Sequence, residues 1–229
     1  MNMNEMMKLI EETRTEKILV VVDMQNDFID GALGSEQAAS IVENVLAKVE
    51  EYAREGDYII FTKDTHSEST YKYTEESKYI PEHCIKGTRG WEIYEGLLET
   101  AQAYEDDRKA NDPEYASHNR GKIRVLEKSA FGCDTLYKNI RDIITDNLLP
   151  AKICRVVFDI EFVGLCTDIC VISNAMIAAM TQDHIIVDAA CCAGTSEEAH
   201  DTALAALRGI NVEVRRQGEE PWRRKGEQK

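Results

Sequence analysis

The sequence is short of positive charge, of long apolar runs and of any cysteine framework, and each shortage excludes something. Twenty-seven lysines and arginines stand against 42 aspartates and glutamates, a formal net charge of −15 over 229 residues. Nucleic acid and anionic membrane surfaces both require a basic footprint, so neither is an expected partner. The longest stretch without a charge, "ICVISNAMIAAMTQ", falls below the ~20 apolar residues that a membrane span needs. The opening "MNMNEMMKLIEETRTEK" contains no apolar core of the kind a signal peptide requires. Seven cysteines, an odd number without framework spacing, fit reduced thiols better than disulfides. The expectation is a soluble protein with a cytoplasmic location. No internal repeat or low-complexity tract is visible.

What is present is enough apolar residue, 43%, to bury one sizeable core. We expect a single domain over 1–215 and a charged tail over 216–229. Apolar runs rich in β-branched residues alternate with helical patterns. "KILVVVD" (17–23) reads as a buried strand, because its run lacks alternation. A helix follows over 35–56, with Ile41, Val45, Val49 and Tyr52 at helical spacing, Ser35 as its cap and Gly56 at its end. Further strands are expected at 57–64, 122–128, within 152–164, at 184–190 and at 210–214. Helices are expected at 90–104, 134–148, 167–182 (opened by a Thr-Asp cap) and 196–209. This alternation predicts a three-layer α/β fold: a mostly parallel six-stranded sheet with helices on both faces. In such sheets ligands bind beyond the carboxyl ends of the strands. Asp23, Asp64, Lys128 and the Leu165–Cys170 turn all fall there. Segment 65–89 is long for a loop joining strand to helix, which favours a functional loop. Segment 105–121 reads as a polar surface excursion.

Each of these residues has an ordinary explanation beside a chemical one. Cys166 and Cys170 fit small buried residues, since free cysteine is among the most buried types. Cys170 also lies near a predicted helix start, where backbone N–H groups favour a thiolate. A metal site made from the pair lacks C-x-x-C spacing and a second cysteine pair. Asp23, ending a buried strand, either caps the next turn or is used. Lys128 is either a solvated strand end or part of a set in which acid, lysine and thiol share one crevice. Asp64, His66 and His83 are a reasonable ligand set for a divalent metal that leaves positions open, although surface histidines are common.

Taken together, "VVVDMQNDF", "EKSAFG" and "VGLCTDICV", in this order, resemble the isochorismatase-like cysteine hydrolases over residues 17–214. "DTH…IPEHCIKGTRGWE" is similar to the metal loop of the nicotinamidases within that family. The resemblance implies a Rossmann-like α/β fold and a catalytic triad of Asp23, Lys128 and Cys170. It implies a divalent metal, zinc, iron or manganese, on Asp64, His66 and His83, with Glu76 as a further carboxylate, in a metal loop over 64–89. It also implies a cis peptide at Leu165–Cys166, aiming the backbone N–H groups of Cys166 and Cys170 at the substrate oxygen. Phe28 and Phe131 are placed to sandwich a flat ring, or are simply core. The activity implied is deamidation of nicotinamide to nicotinate and ammonia, feeding NAD salvage, by an enzyme of a family whose members are often homo-oligomers. Three positions depart from the family pattern. Thr65 replaces a tryptophan, Ile80 replaces an aromatic pocket residue, and Cys133 replaces a small polar residue. The first two weaken an aromatic clamp, which keeps open a related hydrolase acting on another small amide, ureide or carbamoyl compound. A catalytically silent binding subunit is disfavoured by the intact triad motif.

Overall fold

Burial of β1 fixes the architecture. In the computed structural model, which describes residues 13–112, 115, 121–148 and 155–223, Ile18 through Val22 are all fully buried. β1 (Thr13–Val22) has partners on both edges and apolar cover on both faces, the environment that selects a run without alternation. Burying each of these side chains contributes roughly 1.5–3 kcal/mol. Ile18, Val20 and Val22 face one core with Ile160, Phe162 and Ile140, while Leu19 and Val21 face the other with Val45, Val49 and Leu97.

Five further strands complete an all-parallel sheet with it: β2 (Tyr58–Asp64), β3 (Ile123–Lys128), β4 (Arg155–Leu165), β5 (His184–Ala193) and β6 (Glu213–Arg215), in the order β3-β2-β1-β4-β5-β6. The strand order reverses between β1 and β4, so the ligand crevice falls where these two strands end. Helices α1 (Val42–Glu55) and α2 (Leu97–Asn111) cover one face; α3 (Leu136–Leu148), α4 (Ile172–Ala179) and α5 (Glu197–Gly209) cover the other. The expected three-layer parallel fold is what forms. No described helix is long and apolar enough to cross a membrane.

Local departures have local causes. The expected helix over 35–56 breaks at Ile41 into Glu36–Ser40 and α1; Ser35 accepts from the N–H of Ala38 (3.0 Å), and Gly56 ends α1 at φ 77°. The helix expected over 90–104 starts only at Leu97. Gly96 has φ 88°, outside the helical region, and its N–H donates to Glu99 Oε2 (3.0 Å) in a cap. Residues 90–92 are instead tied to the chain after β1, through Asp27 N–H to Gly90 O and Asn26 N–H to Glu92 O. The helix expected over 167–182 is a wide turn, Thr167–Val171, followed by α4. The sixth strand is shorter than 210–214 implies, because Asn211 takes a left-handed φ of 66° in the turn leaving α5. Residues 152–154 of the expected fourth strand, most of 113–120 and the tail after 223 lie outside the described residues.

Candidate active site

Two strand ends and one turn bring the expected triad together. Asp23 follows β1 with φ 48° and no exposure; its N–H donates to the Thr62 carbonyl (3.3 Å) and its Oδ1 accepts from the Thr62 hydroxyl (2.7 Å). Lys128 ends β3, two strands away, in register with Asp64, and its long stem reaches across β2. Its Nζ lies 2.7 Å from Asp23 Oδ2, 3.6 Å from Asp64 Oδ1 and 3.6 Å from Cys170 Sγ, and donates to the Ala130 carbonyl (3.0 Å). The Asp23–Lys128 pair is close but poorly aligned, leaving Oδ2 without a hydrogen-bond donor among the described residues. Cys170 is 6% exposed, with its Sγ facing the Lys128 ammonium.

Electrostatics couple the three groups. Burial pushes the Asp23 carboxyl above its ordinary range, with Lys128 opposing and Asp64 adding to the shift. For Lys128 burial works against the charge, but Asp23, Cys170 and Asp64 outweigh it and hold the ammonium well above its usual value. Burial and the Asp23 charge push the Cys170 thiol well up, more than Lys128 draws it down. Burial and the Asp23 charge thus oppose the thiolate that a helix start was expected to favour. Cys170 sits inside the wide turn, and the Thr-Asp pair before it does not cap: Thr167 Oγ1 meets His200 Nδ1 (2.8 Å), and Asp168 accepts from Thr195.

The metal-loop residues converge as expected. One ligand atom from each of Asp64, His66, Glu76 and His83 lies within 4.8 Å of all the others. Nε2 of His66 and Nε2 of His83 each stand 3.1 Å from the same oxygen, Asp64 Oδ2, and 3.6 and 3.7 Å from the Glu76 carboxylate. His83 Nδ1 lies 2.8 Å from the Pro81 carbonyl, which accepts its proton. A neutral His83 therefore aims an Nε2 lone pair at carboxylate oxygens, an arrangement of acceptors that a cation satisfies. The residues fit a divalent metal. Burial opposes ionisation of Asp64, but the two imidazoles beside it and the Lys128 charge hold its carboxyl well below the usual range.

A cavity of about 290 Å³ joins the two clusters: Asp64, Glu76 and His83 line one part and Cys166 and Cys170 another. Phe28, Ile80 and Phe131 line it between them, Phe131 43% exposed and Phe28 edge-on to His83 at 5.4 Å. Asp23, Lys128 and His66 are outside the lining. The Leu165–Cys166 peptide is cis. Thr65 does not line the cavity: its hydroxyl accepts from the Trp91 indole N–H (2.8 Å). Tyr79, 85% exposed, adds an aromatic wall beside Ile80.

Sequence reasoning missed the residues that hold these groups in place. Gln25, fully buried, accepts from Asp64 N–H (2.7 Å) and donates to the carbonyls of Asp64 (2.9 Å) and Trp91 (2.8 Å). Asn26 donates to the Arg89 carbonyl (2.7 Å), and Asp27 accepts from Cys84 N–H (2.7 Å) beside His83. Three polar residues directly after a buried strand were the available signal. Asn174 bridges the Cys170 and Phe131 carbonyls and the N–H of buried Cys133, and nothing in its helical context announces that role.

Comparison with known proteins agrees with this arrangement. The Isochorismatase domain family matches residues 17–113 and 146–219. The nicotinamidase of Schizosaccharomyces pombe is 27% identical over 202 residues, covering 86% of this chain and 91% of that protein. The crystal structure of pyrazinamidase/nicotinamidase from Streptococcus mutans is similar at TM-score 0.69 and 26% identity, over 87% of this chain and 99% of the other. N-carbamoylsarcosine amidase from Thermoplasma acidophilum is similar at TM-score 0.62 and 25% identity, over 88% and 96%. The chain belongs to the isochorismatase family.

Proposed function

We propose that this amidohydrolase deamidates nicotinamide to nicotinate and ammonia, with Asp23, Lys128 and Cys170 as its triad. The observation that carries the reading is the single cavity with a buried thiol at one wall and a cluster of metal-type ligands at another. Its size, about 290 Å³, is near the lower end for ligand pockets and suits one small ring. Apolar Phe28, Ile80 and Phe131 suit the faces of a flat heterocycle and support a pose with the carboxamide toward the thiol.

The steps follow from the triad. Asp23 accepts the Cys170 proton as the sulfur attacks the carboxamide carbon, and Lys128 balances the negative charge that the pair carries. The backbone N–H groups of Cys166 and Cys170 receive the oxyanion. Asp23 returns the proton to the amide nitrogen, the C–N bond breaks and ammonia leaves a thioester. Water then attacks the thioester with Asp23 taking one proton, the C–S bond breaks, the thiolate recovers that proton, and the acid product gives its remaining proton to solvent and departs as nicotinate. Asp64, His66 and His83, with Glu76 beside them, would hold the metal; zinc, iron and manganese all suit that donor set. When bound, the metal supplies a Lewis acid for the pyridine nitrogen, directly or through water. The product would enter NAD salvage.

The similarity to N-carbamoylsarcosine amidase and the aliphatic wall at Ile80 support a second reading, a small carbamoyl compound or ureide. Ammonia release from nicotinamide, measured with and without iodoacetamide, separates them. Thiol-sensitive release is expected; none from nicotinamide, with release from a carbamoyl amine, would establish the second.

A further inference from the structure

The nucleophile turn is also held by a chain of buried polar groups that the proposed chemistry does not use. Thr167, between the cavity-lining Cys166 and Cys170, is fully buried, as are His200 of α5 and Glu220. Thr167 Oγ1 lies 2.8 Å from His200 Nδ1, and His200 Nε2 lies 3.2 Å from Glu220 Oε1. A carboxylate only accepts, so Nε2 donates to Glu220, and Nδ1 pairs with the Thr167 hydroxyl, which can donate or accept. The orientation of the Thr167 hydroxyl is thus set from the C-terminal segment.

Glu220 is itself anchored. Its Oε2 accepts from the N–H of Gly218 (2.8 Å) and from Arg223 Nε (2.7 Å), and Arg223 continues to Glu197 and Asp201 of α5. Trp222 donates its indole N–H to the Cys192 carbonyl (3.3 Å) and meets the His200 ring edge-on at 5.1 Å. There is little slack between these parts. A Cβ placed on Gly194, which lines the cavity, would stand 2.8 Å from Asp168 Oδ1 and 2.9 Å from His200 Cβ. A tail that merely covered apolar surface would need Trp222 but no buried carboxylate, which is costly to desolvate unless it is used. The residues matched to the family end at 219, and Glu220, Trp222 and Arg223 lie beyond them.

We propose that residues 216–223 form a positioning clip for the nucleophile turn, acting through the buried Glu220–His200–Thr167 chain to keep Cys166 and Cys170 aligned with the substrate carbonyl. The clip rests on the reading of Cys170 as nucleophile. It is tested in the full-length protein with Thr167→Val, Glu220→Ala, Glu220→Gln and the Thr167→Val/Glu220→Ala double variant. For each we would measure kcat and KM on nicotinamide, the alkylation rate of Cys170 by iodoacetamide resolved by peptide mass spectrometry, and thermal unfolding. Thr167→Val preserves shape and removes only the hydroxyl, so it tests the chain even if Glu220→Ala folds poorly. Thr167→Val and Glu220→Ala should each lower kcat about tenfold with KM within about twofold, as expected for a misplaced reacting group. The double variant should be no slower than the slower single, since both break one chain. Glu220→Gln, which keeps an acceptor oxygen, should recover most of kcat. Unchanged kcat in folded Thr167→Val, or losses that multiply in the double, would overturn the clip. If the wild type releases no ammonia from nicotinamide, the substrate reading fails instead, and alkylation decides. Cys170 rates altered alike by Thr167→Val and Glu220→Ala support the clip, and rates equal to wild type overturn it.

Discussion

Beneath α1, Glu161 and Asp188 meet Lys48 and Arg216, and the four charges cancel; at the carboxyl edge of the sheet Asp23 and Asp64 meet Lys128, with Glu76 across the two imidazoles from it. In the first cluster Glu161, 3% exposed, accepts from the Tyr52 hydroxyl (2.6 Å) and Lys48 Nζ (3.1 Å), and Asp188 is held by Lys48 and by Arg216 Nε (2.9 Å). In the second, Asp23 Oδ2 has no aligned donor, and two imidazole nitrogens crowd one oxygen of Asp64. Three carboxylates against one lysine leave a formal charge of −2 with neutral imidazoles, the charge that one divalent cation neutralises. Both clusters are buried and charged, so burial alone does not mark function. Completeness separates these two: the first network is closed, and the second keeps an excess of negative charge and acceptors without donors.

The largest effect that would sharpen this contrast is at Cys170. Cys170→Ala should cut amide turnover by more than about 10³-fold, since the covalent route is lost. Its melting temperature should stay close to wild type, because a small buried side chain is replaced by a smaller one. Comparable turnover in the variant would remove Cys170 from the chemistry. Next in size is Asp64→Asn, which takes one charge and one ligand from the unbalanced cluster. Metal content by elemental analysis should fall well below wild type, and added zinc should no longer raise the unfolding temperature, a linkage effect of about 2.7 kcal/mol at a hundredfold excess over Kd in the wild type. Retained metal would place the ion elsewhere.

How much of this could be read in advance differs between the two clusters. Asp23, Asp64, Lys128 and the Cys166–Cys170 turn stood out because each is polar at the end of an apolar run, and a parallel sheet gathers strand ends on one edge. The partnership of Asp23 with Lys128 was not legible from local pattern, since it depends on β3 standing two places from β1 with Thr62 between them. The family resemblance supplied it instead. The contact of Thr65 was hidden for a related reason: its neighbour Trp91 is 26 residues away in sequence, and only the packed loop shows that the indole N–H donates to the threonine hydroxyl. The structural cluster was invisible. Lys48 looks like one of the solvated charges of an amphipathic helix, and Glu161 like the polar member of an alternating strand. Periodicity does not say which side chains meet over 113 residues. The helix expected over 90–104 failed because apolar spacing ran through Gly96, whose left-handed backbone stops it.

Substitutions in the closed network should reverse the pattern seen at the site, with stability falling and chemistry preserved. Glu161→Ala leaves Lys48 with Asp188 but strips a buried partner, and should cost about 3 kcal/mol, the lower end for breaking a buried pair. In urea unfolding the midpoint should drop while kcat/KM of the folded enzyme holds. Tyr52→Phe is the finer probe. Burial and the Glu161 charge push the phenol above its ordinary range, so it remains a donor throughout the working pH. Its removal takes one hydrogen bond from a carboxylate that keeps its lysine, which sets the cost near 1.5 kcal/mol, the low end for bonds to charged groups. Glu161 lies beside Leu19 on β1, the strand that carries Asp23 at its end. If Tyr52→Phe lowered kcat along with stability, the two clusters would be coupled through β1 and the division between them would fail. An unchanged kcat with a shifted midpoint would show that β1 isolates the reactive charges from the structural ones.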